Sequence, residues 1–533
     1  MLDDLEATWM SHMWVYICTA LAIVTVYFAT MIIYNLYFHP LHSFPGPLAH
    51  RASPIPYLLR IVSGKAAFHT HELHEKYGPI VRLSPNHLSF TDVHAWRDIY
   101  GHRIPPHASL APPDSQPDQN RQRQPSPHSF HSLDENPKSP LHYGFLPDIP
   151  PSILEAPRDE HALLRKALSN GFSEKALRSQ EPRIRRHVDL LMLRLRQSSR
   201  GEGVARSLDI AKWYNWIAFD VVGDLVFAEP FGCLERQEYH PFVKLIVGTI
   251  KGGTVLVALN HLGMQWLMHL MWHAGGVGKL VARLRGSLRE KLESRMEAGV
   301  EMEDLFEGLM RCREEWGLDM ERLQSNAMVL VAAGSETTAT LLAGVTYLLL
   351  SNPEAMAKLK VEIRNAFNSA DEITIASASR LPYMLACLNE ALRMYPPVTG
   401  SLVRQVAPGG AVIAGHVIMG GASVECQQWS MNHSSSHWHD PWAFRPERFL
   451  HGKANLTKGD ALEAFQPFNV GPRNCIGRNL AYAEMRLILA NLIYNFDLSL
   501  ANGSKGWIEE QRAYPLWARG PLQIFVEPVG LAD

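Results

Sequence analysis

Residues 14–36 form an almost unbroken apolar run, with Tyr16, Tyr27, Tyr34 and Asn35 its most polar members and no charged side chain inside it. About twenty such residues span a bilayer as a helix. Beyond this run the pattern changes. Residues 80–83 and 87–90 are short apolar or β-branched runs around Ser84-Pro85-Asn86, a turn signal, and predict a hairpin. Helical patterning then dominates and predicts helices over 159–168, 181–197, 208–227, 241–257, 277–297, 319–350, 353–367 and 381–394. Short runs at 403–406, 411–413 and 416–418, and the alternation Leu522-Gln523-Ile524-Phe525-Val526, predict further strands. The fold class is mainly α with small β-sheets, and no internal repeat is visible.

Two stretches interrupt this order. His39-Pro40 to Pro45-Gly46-Pro47 cannot be helical and reads as a rigid hinge over 39–50. Residues 104–151 are crowded with Pro, Ser, His, Asn and Gln and bury too little apolar surface to order themselves, so a disordered insertion is expected there. No linker divides the 533 residues into comparable halves. The expected organisation is a membrane anchor at 1–38, the hinge, and one domain over 51–533.

Charge and cysteine usage narrow the setting. Acidic and basic residues nearly cancel, 53 against 51, which argues against a nucleic-acid partner. The six cysteines lack paired spacing, as expected in a reducing compartment. Asp3, Asp4 and Glu6 precede the apolar run, and Arg51, Arg60 and Lys65 follow it, so the bulk of the chain is expected on the cytosolic side. The basic start and small-residue cleavage site of a signal peptide are not evident. The sequons at Asn432, Asn455 and Asn502 would then stay unused. The 25 histidines fall mostly in loops, without His-x-x-x-His spacing on a predicted helix, so a histidine metal site is not expected.

The chemistry concentrates in Phe468-Asn-Val-Gly471-Pro-Arg473-Asn-Cys475-Ile-Gly477, which offers one cysteine in a glycine-bracketed turn before the helix-forming run 478–489. The surrounding amides and the positive end of that helix can favour the thiolate. One thiolate is too few for a structural zinc site but suffices as an axial ligand of haem iron. Ala333-Gly334-Ser335-Glu336-Thr337-Thr338 lies within the long apolar helix 319–350, about 48 Å at 1.5 Å per residue. Its small residues let the backbone approach a flat cofactor, and Glu336 and Thr337 place a carboxylate and a hydroxyl beside it. Glu390-Ala-Leu-Arg393 and Pro446-Glu447-Arg448-Phe449 follow in order.

Together these four segments resemble the cytochromes P-450, the haem-thiolate monooxygenases. The resemblance implies the fold of that family, with a long central helix over the haem and the cysteine loop beneath, behind an N-terminal transmembrane helix. It implies haem b with Cys475 as iron ligand, and Phe468 within the cysteine loop. Thr337 and Glu336 would serve oxygen activation, and Glu390, Arg393 and Arg448 would form a buried structural triad. His161 and Arg165, with His where the family has Trp, together with Arg404 and Arg473 would face the haem propionates. Val331, Ala332, Val398, Thr399, Leu402 and Leu516 would line the substrate space.

No Gly-x-Gly-x-x-Gly nucleotide fingerprint is present, so electrons from NADPH must arrive through a separate partner, by resemblance an NADPH-cytochrome reductase, a flavoprotein. Lys166, Arg478 and Lys458 are its candidate contacts. Residues 37–47, 172–177 and 223–232 are similar to those of membrane-anchored fungal members of secondary metabolism. The expected enzyme hydroxylates, epoxidises or desaturates a lipophilic small molecule at the endoplasmic reticulum membrane, as a single-pass protein with a cytosolic catalytic domain. A haem-thiolate isomerase or dehydratase could dispense with the Glu336-Thr337 pair, and a non-catalytic haem-binding protein would need neither that pair nor the hinge.

Overall fold

The computed structural model describes residues 2–102, 135–144, 146, 149–199, 206–297, 299, 303–400, 402–450 and 460–530. The chain opens with a helix over Leu2–Ile33 that continues into one π-helical turn, Tyr34–Phe38. Its stretch His12–Phe38 has a mean hydropathy of 2.1 and is exposed up to its last turn, where Asn35 is buried, the geometry of a membrane anchor. Two other helices, Pro241–His261 and Met320–Ser351, are also long and apolar enough to span. The second is largely buried within the protein, where apolar composition serves packing.

The hinge is held by hydrogen bonds. The Arg82 amide donates to Pro45 O at 2.7 Å, and its fully buried guanidinium donates to Asn35 O and Pro85 O. One residue thus ties the end of the first helix, the hinge and the first hairpin together.

Strands Ile80–Ser84 and His87–Phe90 pair antiparallel as the pattern predicts. Their sheet is completed by Ser423–Cys426, parallel to His87–Phe90, and by Arg404–Gln405. A second sheet joins Leu208–Asp209, Phe496–Leu500 and Gln523–Pro528. The strands Ser423–Cys426 and Phe496–Leu500 went unforeseen. Both are short, and their partners come from far along the chain, so local pattern carries little of the signal.

The centre is the helix Met320–Ser351. Asp319 caps it, its Oδ1 accepting from the Arg322 amide at 2.7 Å. It packs along Ile210–Phe227, which is buried throughout except at Lys212 and is preceded by a two-residue strand where a continuous helix from 208 was expected. Gly334 sits at this contact: an added Cβ would lie 3.0 Å from Val222 Cγ2. Small residues here serve helix packing, and Ala333 is the residue at the cavity wall.

The expectation of disorder over 104–151 needs correction at its far end. Residues 103–134, 145, 147 and 148 lie outside the described residues. Residues 135–144, however, pack on the body: Glu135 and Asn136 are buried, Ser139 N donates to Val403 O, and Gln405 N donates to Pro137 O. Backbone pairing to Arg404–Gln405 and an ion pair described below supply the order that composition does not.

Candidate active site

The cysteine loop is built by its backbone. Cys475 N donates to Phe468 O at 2.9 Å and Asn474 N to Gly471 O at 3.1 Å. Gly471 has φ +79°, and a Cβ there would lie 2.0 Å from Tyr100 O, so only glycine fits. Gly477 has an ordinary φ of −83°, and the space above it is what matters, since a Cβ would stand 3.9 Å from Cys475 Sγ. The helix Arg478–Asn495 starts immediately after. Cys475 is exposed to the cavity between this loop and the central helix.

Burial pushes the Cys475 thiol pKa above its ordinary value, opposed by the Gly477 amide and the guanidiniums of Arg165 and Arg478. A bound metal cation deprotonates a coordinating thiol outright.

The Glu390–Arg393–Arg448 group is drawn together and is larger than foreseen. Arg393 Nε and Nη2 each reach a Glu390 carboxylate oxygen at 2.8 Å, and Arg448 Nε reaches Oε1 at 3.3 Å. Asp460 adds a second acid, accepting from Arg448 Nη1 at 2.6 Å. Two guanidiniums thus face two carboxylates, all at most 2% exposed apart from the backbone-adjacent atoms. Such a balance is what burial of charge requires.

Basic groups crowd one end of the cavity. Arg473 pairs with Glu135, Nε and Nη2 to Oε1 at 3.0 and 2.8 Å, and Nη1 donates to Ala156 O. Arg165 donates to Asn474 O at 2.6 Å. His161 lines the wall as expected of it, and burial, then Arg473, hold its pKa down to about 4, so the ring is a neutral hydrogen-bonding group. Arg404 is displaced from the wall and lies behind it, 2% exposed, its guanidinium 5.6 Å from the Tyr100 ring centroid and its Nε without a partner.

Lys138 takes the wall position instead. It forms a backbone bridge with Arg404, and burial followed by Arg404 and Arg473 pushes its pKa well down. Sequence reasoning missed Lys138 and Glu135 because both fall in the segment read as disordered. An apolar cavity with Cys475 on its floor, an excess of basic groups at one end and an unpartnered Trp96 Nε1 in its wall fits a flat apolar ring system bearing carboxylates.

Phe468 lines the cavity, its ring 5.2 Å from that of Tyr482 and 5.8 Å from the Arg478 guanidinium. Thr337 also lines it, with Oγ1 donating to Ala333 O at 2.6 Å. Glu336 does not. Its carboxylate points to the far side of the central helix, where Oε2 accepts from Arg519 Nη2 at 2.7 Å; the same nitrogen reaches Asn215 Oδ1 at 2.7 Å. Of the six foreseen substrate contacts, Val398 and Leu402 line the cavity, whereas Val331, Ala332, Thr399 and Leu516 are turned into packing around it. Val329, Leu330, Ile153 and Leu154 complete an apolar wall. Lys166 is exposed, and Lys458 lies outside the described residues.

The cytochrome P450 family model matches residues 131–526. A cytochrome P450 monooxygenase, tpeC, of Talaromyces stipitatus is 42% identical over 518 residues, covering 96% of this chain and 95% of that protein. An averantin hydroxylase of Dothistroma septosporum is 38% identical, covering 94% of this chain and 89% of its own. A trichothecene C-15 hydroxylase of Fusarium sporotrichioides is 36% identical, covering 94% and 96%.

Proposed function

From the premise that this chain belongs to the cytochrome P450 family and is a haem-dependent monooxygenase, we propose that Cys475 is its iron ligand and that it oxidises a lipophilic product of fungal secondary metabolism. The haem, when bound, supplies oxygen activation through a thiolate-ligated iron. The observation that carries the assignment is Cys475 facing the cavity from a loop whose backbone bonds and Gly471 leave it one position. Arg473, Arg165, His161 and Lys138 would hold the carboxylates of the cofactor, with Arg404 adding charge from behind.

Thr337 would hold a proton-passing hydroxyl at the cavity wall, and Glu336 would join it only when released from Arg519. The apolar wall from Ile153 to Leu402 suits an apolar substrate, whose position rather than activation decides the oxidised atom. Hydroxylation, as the names of two relatives indicate for those proteins, is the reaction we favour. Electrons would come from a membrane flavoprotein reductase fed by NADPH, and the anchor would place both proteins on the endoplasmic reticulum. The relatives described lend no support to an isomerase, a dehydratase or a non-catalytic haem carrier.

Thr337→Ala tests the reading. With reductase, NADPH and a panel of lipophilic metabolites, haem content should be unchanged while product per NADPH consumed falls and peroxide rises. An unchanged ratio would reduce Thr337 to a helix-packing residue.

A further inference from the structure

One His-x-x-x-His pair does lie on a helix, contrary to the expectation from the sequence. His269 and His273 sit on Gln265–His273, outside the helices that the pattern predicts. Residues four apart share a helix face, one turn above the other, and here the two imidazole centroids are 4.2 Å apart. Both side chains are exposed, and neither has a hydrogen-bond or ion-pair partner among the described residues.

The helix is fixed from its other side. Met268 is buried, Leu267, Met271 and Trp272 are half-buried, and Trp266, His269, Leu270 and His273 are exposed. Met264 N donates to Leu259 O at 2.9 Å and Ala274 N to Leu270 O at 2.8 Å, which closes both ends. With the inner side packed, the spacing of the two outer rings is set before any ligand arrives, and such preorganisation favours binding.

Neutral imidazole suits borderline divalent ions, whereas Mg2+ and Ca2+ take oxygen ligands. Two imidazole nitrogens bound to one zinc ion at about 2.0–2.1 Å each stand about 3 Å apart. Rings with centroids 4.2 Å apart reach that separation by side-chain rotation alone. Gln265–His273 carries no carboxylate, and among the described residues no group of three His, Cys, Asp or Glu is placed to hold a metal. The pair thus offers two protein ligands and leaves the remaining positions to water.

We propose that His269 and His273 bind one divalent ion of the zinc, copper and nickel class at a surface site of their own. The site is separate from the haem cavity, whose described lining includes no residue of this helix. Joining two weak ligands makes the second coordination intramolecular, so the pair binds about a hundredfold more tightly than one ring. The ion ties two successive turns together and adds positive charge to the face that presents Trp266 and Leu270.

The test is a zinc titration of the untagged, haem-loaded full chain in detergent, with free zinc set by a chelator buffer. Wild type should bind one zinc ion that His269→Ala and His273→Ala each bind about a hundredfold more weakly. Alanine is the best helix former, so both variants should keep their haem spectrum and helical signal. The double variant Gln265→His/His273→Ala rebuilds the pair one turn earlier, at two exposed positions, and should recover most of the lost affinity. Amide exchange over residues 265–273 should slow with zinc in wild type and in the rebuilt variant, and stay unchanged in the single variants.

Equal zinc binding by wild type and both single variants overturns the proposal. So does loss without recovery in the rebuilt variant, which would place a needed ligand elsewhere, and so does exchange over 265–273 that ignores zinc. None of these outcomes bears on the monooxygenase reading, which rests on Cys475 and its cavity.

Discussion

Arg519 holds Glu336 at 2.7 Å on the side of the central helix away from the cavity, while the next residue, Thr337, faces the cavity. Adjacent helical positions are 100° apart, so a carboxylate and a hydroxyl that are neighbours in sequence serve different surroundings. The bond is monodentate: Glu336 Oε1 and Arg519 Nη1 are buried without partners. Removing one member of a buried pair strands the other and costs about 3–5 kcal/mol. Arg519→Met should accordingly lower the denaturation midpoint strongly, Glu336→Gln less, and the double variant should recover part of the loss. Additive single effects would show that the pair contributes little.

Cys475→Ala should abolish the red-shifted Soret band of the reduced carbon monoxide complex and leave the far-ultraviolet helical signal in place. The side chain opens on a cavity and fills no core layer, so only the ligand is lost. A surviving band would mean that another residue binds the iron.

Gly471→Ala and Gly477→Ala should differ in kind. The first places a Cβ 2.0 Å from Tyr100 O at φ +79° and must displace the loop; the second meets only ordinary contacts at 3.7 and 3.9 Å. Thermal midpoint and haem content should fall sharply in Gly471→Ala, while Gly477→Ala stays folded. Equal losses would contradict the backbone account of the loop.

Acid should weaken the fold through His74. The ring is buried, with Nε2 against Ser89 Oγ at 2.8 Å and Nδ1 against Gly78 O at 2.9 Å, and burial lowers its pKa to about 4. The folded state therefore binds its proton less readily than the unfolded chain, so the contribution is present above pH 6.5 and lost as pH falls from there to about 4. A difference of that size is worth about 3 kcal/mol. Urea midpoints of wild type and His74→Gln, compared from pH 7 to pH 4.5, should converge as the pH drops.

Deleting residues 1–38 should release much of the protein from membranes while leaving the haem spectrum intact, because the apolar stretch His12–Phe38 is exposed except at its last turn, where Asn35 is buried far from Cys475 in the chain. Some association should persist through the exposed Leu262, Trp266 and Leu270. Fractionation with a spectrum of each fraction measures both, and loss of haem on truncation would show the anchor to be part of the fold.

Much of this was legible in the chain itself. The anchor, the central helix and the cysteine loop are specified locally, by an apolar run, by helical patterning and by a glycine that only φ +79° explains. What the tertiary structure decided is which charges meet. Glu135 reaches Arg473 across 338 residues, and Arg519 reaches Glu336 across 183, distances over which no periodicity carries information. Lys138 gains the wall position that Arg404 does not occupy because a backbone bridge orders a segment whose composition predicts none. Local pattern determines the elements, whereas the pairing of buried charges is a global constraint, since each must find an opposite charge or give up its own.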